Sequence, residues 1–211
     1  MKLTAVLLLT LALGLALFGG CASGGAEKGN KTATSVGDVS SDLKTTRDRI
    51  VGSLTSLNAL VTTKTGDLRP AFKTFSSSVK SLGSAAKDLD AQAARMRETG
   101  EAYFADWDAK IAQISNPETK ATSQARREEV RARFANISSM YTDVRTKFEP
   151  FMGDLTDIRA ALETDLTAGG IAAIDPSIRA ANTNGAAVRA SIEALIKEFD
   201  TLSAKMSSTA G

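Results

Sequence analysis

The residues best suited to do chemistry are two carboxylates near the middle of the chain, Asp108 and Glu129. Brought together by a turn between them, such a pair could hold a divalent cation or divide into an acid and a base. The surrounding pattern favours a blander reading. Glu101, Asp106 and Asp108 share one run, but on a helix Glu101 and Asp108 sit two turns, roughly 10 Å, apart, and Asp106 points away from both. Asp106 falls opposite Arg131, and Arg126, Arg127 and Arg133 crowd around Glu129. This reads as a solvated flank of interhelical ion pairs, each of little energetic weight. The chain contains no histidine, which removes the usual general base and metal ligand, and its single cysteine excludes thiolate metal sites and internal disulfides. No serine lies in a G-x-S-x-G elbow, and Gly169-Gly170-Ile171-Ala172-Ala173-Ile174 lacks the Lys-Ser/Thr of a phosphate loop. No catalytic residue, metal or cofactor is expected, and no small-molecule substrate is evident.

The lone thiol, Cys21, carries a different chemistry. Lys2 gives a positive start, Leu3 to Phe18 is almost wholly apolar, and Gly19-Gly20 lead directly into Cys21. A basic start, a short apolar core and small residues before a processing point describe an export signal, too short to remain as a membrane span. The segment resembles the bacterial lipobox, in which the cysteine sulfur is acylated and the cysteine becomes the new N-terminus, although Phe18 stands where leucine is preferred. The competing reading is an ordinary secretory signal with a stray thiol. An unpaired thiol is awkward in an oxidising compartment, and acylation removes it. Ala22, rather than Asp, matches the sorting pattern for the outer membrane. Several acyl chains at ~0.8 kcal/mol per buried methylene would anchor the chain durably.

Residues 1–20 are thus expected to be a lipoprotein signal peptide, 21–36 (CASGGAEKGNKTATSV) a flexible tether, and 37–211 one domain. With 26 basic against 24 acidic side chains, the near-neutral balance argues against nucleic acid as a partner. From Leu43 onward, apolar residues recur every three or four positions, and no stretch alternates with a period of two. Four runs follow, Leu43–Val61, Leu68–Ile114, Val130–Leu162 and Ile171–Met206, with Arg47 intruding on the first. Gly66-Asp67, Asn116-Pro117 and Gly169-Gly170 fall between them, the chemistry of helix caps and turns. Folding the runs back on one another matches apolar positions about points near 64–65, 118 and 169–170, and sets small residues opposite large ones. The expected fold is all-α: an elongated, antiparallel, coiled-coil-like bundle of four helices. The two central ones would be about 45 residues, roughly 70 Å, long. The first and last would pack away from the Asn116-Pro117 hairpin, leaving its end thinned to two helices, and Pro150 would kink the third.

That thinning would expose an aromatic stretch. Tyr103, Phe104, Trp107 and Ile111 are the candidate partner-docking residues if one face stays open, and ordinary core if it does not.

Two segments carry a family resemblance. One runs from Glu101-Ala-Tyr-Phe-Ala-Asp-Trp-Asp to Ser115-Asn116-Pro117 and into the arginine-rich start of the third helix. The other is Lys147-Phe-Glu-Pro-Phe-Met-Gly-Asp-Leu155, continuing to Ala161-Leu-Glu-Thr-Asp-Leu-Thr-Ala-Gly-Gly-Ile-Ala-Ala-Ile174. Between Gly66 and Met206 the chain resembles a family of bacterial helical proteins, often lipoproteins, known as domain of unknown function 2959. The resemblance implies a long-helix envelope protein and supplies no activity or catalytic residues. The functional expectation is an outer-membrane-anchored lipoprotein facing the periplasm, a non-catalytic spacer, scaffold or adaptor for an envelope protein or peptidoglycan. The alternatives are a membrane-active, pore-forming-like bundle and a carboxylate-bound cation site.

Overall fold

The computed structural model describes the backbone of residues 23–63 and 66–206, with side chains from Gly29 onward. Five helices account for the regular structure: α1 (Ser23–Thr62), α2 (Arg69–Ala112), α3 (Pro117–Thr164), the short α4 (Ala168–Ala173) and α5 (Asp175–Met206). The four long helices alternate in direction. α1 packs on α2 and α5, and α3 closes the ring between the same two helices. The result is the all-α antiparallel bundle that the spacing predicts. α2 and α3, at 44 and 48 residues, run about 65 to 70 Å.

Its core is a stack of side chains from all four long helices, each at a repeat of three or four. Leu43, Ile50 and Leu57 of α1, Phe75 and Leu82 of α2, Phe151 and Leu155 of α3, and Ile192, Leu195 and Leu202 of α5 are wholly buried. Two helical glycines let bulky neighbours in. The Phe134 ring fills the space a Cβ on Gly100 would need, and a Cβ on Gly185 would lie 2.8 Å from Leu54 Cδ1 and 2.9 Å from Phe151 Cε2.

The turns follow local chemistry. Asn116 caps α3 by accepting from the Thr119 N–H at 2.9 Å, and Pro117 takes the first helical position, where its missing donor costs nothing. Gly66, at φ 97, makes the α1–α2 turn in a conformation other residues resist. Asp67 accepts from the Arg69 N–H at 3.0 Å, although Leu68 occupies the cap position itself. α3 continues through Pro150 as helix.

Two expectations are corrected. Residues 23–36, read as part of a flexible tether, are the first turns of α1, with Ala33 and Val36 buried. The seam there is built from Gly29, Thr32, Ala33, Val36 and Val39, so it looks polar when only large apolar residues are counted. It pairs with the end of α5, where the Ser203 hydroxyl meets the Ala33 carbonyl at 3.4 Å. Gly169-Gly170 lie inside α4 and not beyond a helix end. Thr167 caps this helix by accepting from the Gly170 N–H at 3.0 Å, and the chain turns at Asp165–Thr167. α5 runs unbroken through the polar and small stretch from Asn182 to Gly185.

Candidate functional site

The hairpin end, where α2 passes into α3, gathers most of the candidate residues. Because α1 starts some twenty residues before Leu43, a third helix reaches this end. Gly29 sits under the Tyr103 ring, with a would-be Cβ 3.6 Å from Tyr103 Cε2 and 4.0 Å from the Met206 carbonyl of α5. All four long helices are therefore present at the level of Tyr103. The open two-helix face on which docking depended does not exist there. Phe104 and Ile111 are each only 5 % exposed. Tyr103 and Trp107 are half-buried, their rings 5.4 Å apart, and the Trp107 indole N–H donates to Ser123 Oγ at 3.2 Å. Phe104 meets Phe134 edge-on at 5.7 Å, and the Arg131 guanidinium lies over its other side, 5.5 Å from the ring centre. The group is the core of the hairpin end.

The carboxylates beside it are drawn into separate ion pairs. Asp108 bonds Arg127, which also holds Glu128. Glu129 accepts from Lys205 and from Arg126 at 2.6 Å, while Arg126 donates to the Lys205 carbonyl at 2.8 Å and ties α3 to the end of α5. Among the described residues, no three acidic or cysteine side chains come together in a way that could hold a metal ion. Hydrogen bonds from Lys205 and then Arg126 pull the Glu129 carboxyl down to about 2. Its affinity for a proton is lower folded than unfolded. Its contribution to stability is therefore full above the ordinary value of 4.5 and is lost as pH falls towards 2. An NMR titration should place its midpoint near 2, and Lys205→Met, which leaves the Arg126 hydrogen bond in place, should raise it part of the way towards the ordinary carboxylate value. A midpoint already near 4 in the parent protein would show that the α3–α5 tie does not hold in solution.

Sequence reasoning missed a groove between α2 and α3. These two make the fewest close approaches of the four neighbouring helix pairs. They leave a cleft of about 230 Å³ lined by Gly83, Ala86, Leu89, Val144 and Phe148, with Thr46 and Ile192 among its lining residues. A second cleft of about 210 Å³ follows it along the seam, past Ala93, Ala94 and Phe134. Asp90, Tyr141 and Arg145 line both, the Tyr141 hydroxyl donating to Asp90 at 2.6 Å and Arg145 lying 3.4 Å from the same oxygen. Burial and then this bond to Asp90 push the Tyr141 phenol upward. The signal in the sequence was the row of small residues on α2. Small residues opposite large ones were taken to fill the seam, yet in mid-bundle they leave it open.

At the opposite end, two shallow dishes lie around the α1–α2 turn and α4. One, of about 420 Å³, is lined by Val61, Thr63, Ala168 and Ile171; the other, of about 490 Å³, by Gly66 to Arg69 and Leu166 to Ala168. Along the α1–α2 flank, Asp42 is pushed upward by burial and then by neighbouring Asp38 and Asp88. Cys21 lies outside the described residues. No helix among those described is long and apolar enough to cross a membrane.

Residues 18–206 match the model of one protein family, described as a protein of unknown function (DUF2959). The match covers most of the chain, α1 included, and the chain belongs to this family. No curated protein matches it. No solved structure matches it either.

Proposed function

We propose that this member of the DUF2959 family is a lipid-anchored envelope protein: an outer-membrane lipoprotein facing the periplasm, acting as a non-catalytic spacer, scaffold or adaptor. The observation that carries the reading is the run from Lys2 through the apolar Leu3–Phe18 and Gly19-Gly20 to the only cysteine of the chain, Cys21. A helical domain begins two residues later, at Ser23. The bundle supports a mechanical role. Most of its buried positions hold aliphatic or aromatic side chains, Thr32, Ser40, Thr46 and Ser53 being the polar ones among the described residues, and Asp108 and Glu129 are each paired with arginine or lysine. A rod of some 60 to 70 Å on a lipid foot suits a protein that bridges a membrane to something beyond it, such as an envelope protein or peptidoglycan.

The test is chemical. The N-terminal peptide of the mature protein, purified from bacterial membranes, should begin at Cys21 and carry the mass of acyl chains. Cys21→Ser should move the protein from the membrane fraction to the soluble one. An unmodified Cys21, or a Cys21→Ser variant that stays with the membrane, would refute the anchor.

A further inference from the structure

We propose that the bundle stands on the membrane by its α2–α3 hairpin end, which rests on a phospholipid headgroup surface, and presents the α4 end outward. This rests on the lipid anchor at Cys21, and it reverses the arrangement that a flexible tether and a free-standing hairpin would suggest.

The argument is one of chain length and direction. Only Ala22 separates Cys21 from Ser23, so Cys21 lies no more than about 7 Å from the first residue of α1. From Ser23, α1 runs antiparallel to α2, and by Gly29 it has reached Tyr103. Ser23 lies six positions before Gly29, about 9 Å of rise further towards the hairpin end. On the other side, α2 continues from Tyr103 only to Ala112, roughly 14 Å further. The start of α1 and the tip of the hairpin therefore lie within about 10 Å of one another along the bundle axis. An acyl group on Cys21 must enter the bilayer, so the hairpin comes down to the headgroups with it. Thr62, at the far end of α1, is about 60 Å away.

The surfaces agree with an upright stance. Lying flat would need a long apolar or one-signed face. Among the described large hydrophobic residues only Val51 is exposed, at 39 %, and the flanks carry paired charges of both signs. The hairpin end is suited to headgroups and not to the hydrocarbon core. Asn116, Pro117, Glu118 and Thr119 are exposed at the turn, and Lys110 in the last turn of α2 and Lys120 in the first of α3 offer ammonium groups to lipid phosphate. The end left facing away from the membrane holds the two dishes around Gly66 and α4. A partner reached by the rod would meet it there.

Trp107, the only tryptophan in the chain, is a built-in reporter near the hairpin. The lipidated full-length protein is reconstituted into phosphatidylethanolamine–phosphatidylglycerol vesicles containing a dansyl-headgroup lipid, after mass measurement of its N-terminal peptide. Strong energy transfer from Trp107 is expected. A dye at Gln113→Cys should be quenched by a headgroup quencher several-fold more than one at Ala168→Cys; both positions are exposed, and Cys21 is blocked by its acyl chain. An acylated protein with no transfer from Trp107, or with equal quenching at the two sites, overturns the orientation while leaving the anchor standing. An unacylated Cys21 overturns both. Leakage of vesicle contents on binding would show that the hairpin inserts and does not rest, and overturns the headgroup contact.

Discussion

Phe151→Ala should be among the most damaging single substitutions in the bundle, lowering stability by about 3 to 5 kcal/mol. The Phe151 ring is wholly buried in the C-terminal third of α3. It fills the space opened by Gly185 on α5 and meets Phe148 nearly edge-on at 6.2 Å. Truncation removes the transfer energy of the ring and leaves a cavity walled by backbone. The neighbours cannot easily collapse into it, because Gly185 has no side chain to swing in and Leu54 approaches from α1. Thermal unfolding followed by circular dichroism should show a fall of roughly 10 °C or more for a chain of this length. A fall under about 3 °C would mean that α3 and α5 are not packed at this level.

How much of this was legible beforehand differs along the chain. α2 and α3 were readable because their seams use large residues, Phe75, Leu82, Met96 and Val144 among them, and because Asn116-Pro117 marks the turn with two independent signals: an amide that caps and a ring that starts the helix and keeps the residue before it out of the helical region. The first turns of α1 were not, since Gly29, Thr32 and Ala33 earn their burial from what faces them. Thr32 is 1 % exposed because α1 has long partners to lie against, and nothing in its own side chain says so. That single omission propagated. With α1 begun only near Leu43, the hairpin end thins to two helices, and Tyr103, Phe104, Trp107 and Ile111 can be either an open face or ordinary core. Phe104 is covered from within the hairpin, by Phe134 and Arg131 of α3, but the Gly29 that packs against Tyr103 belongs to a segment of small residues far away in sequence. The ion pairs show the same limit. Arginines around Glu129 were evident, but Lys205, which bonds it from the end of α5, is 76 positions away and needed the register of a helix pair to be found. Thr46 lies deeper still beyond sequence reach. It takes the buried position beside the half-exposed Arg47, which pairs with Asp48, and its hydroxyl is left without a hydrogen-bond partner among the residues that line the α2–α3 groove.

The tight fit of Gly185 against Phe151 makes a second, opposite substitution informative. Gly185→Val should cost about 3 kcal/mol on its own. Its Cβ alone would stand 2.8 Å from Leu54 Cδ1 and 2.9 Å from Phe151 Cε2, and the two added methyls lengthen the reach. Replacing a mid-helix glycine gains less than the roughly 1 kcal/mol that alanine would bring, because a β-branched side chain is stiff in a helix. Overpacking therefore wins. Leu54 can retreat, being only half-buried, but Phe151 is enclosed on every side. Combining the two changes reverses the balance. In the Phe151→Ala background the valine enters the space the ring has vacated, so it fills a cavity instead of forcing a shift. The double variant should be more stable than the sum of the single losses predicts, with a coupling of about 1 to 3 kcal/mol. Simple additivity would mean that the two residues do not touch, and that α5 sits in a different register against α3. Recovery would fix that register by energetics alone. It would also fix the position of Met206, and with it the Lys205 tie and the Gly29 contact that bring the start of α1 to the hairpin end.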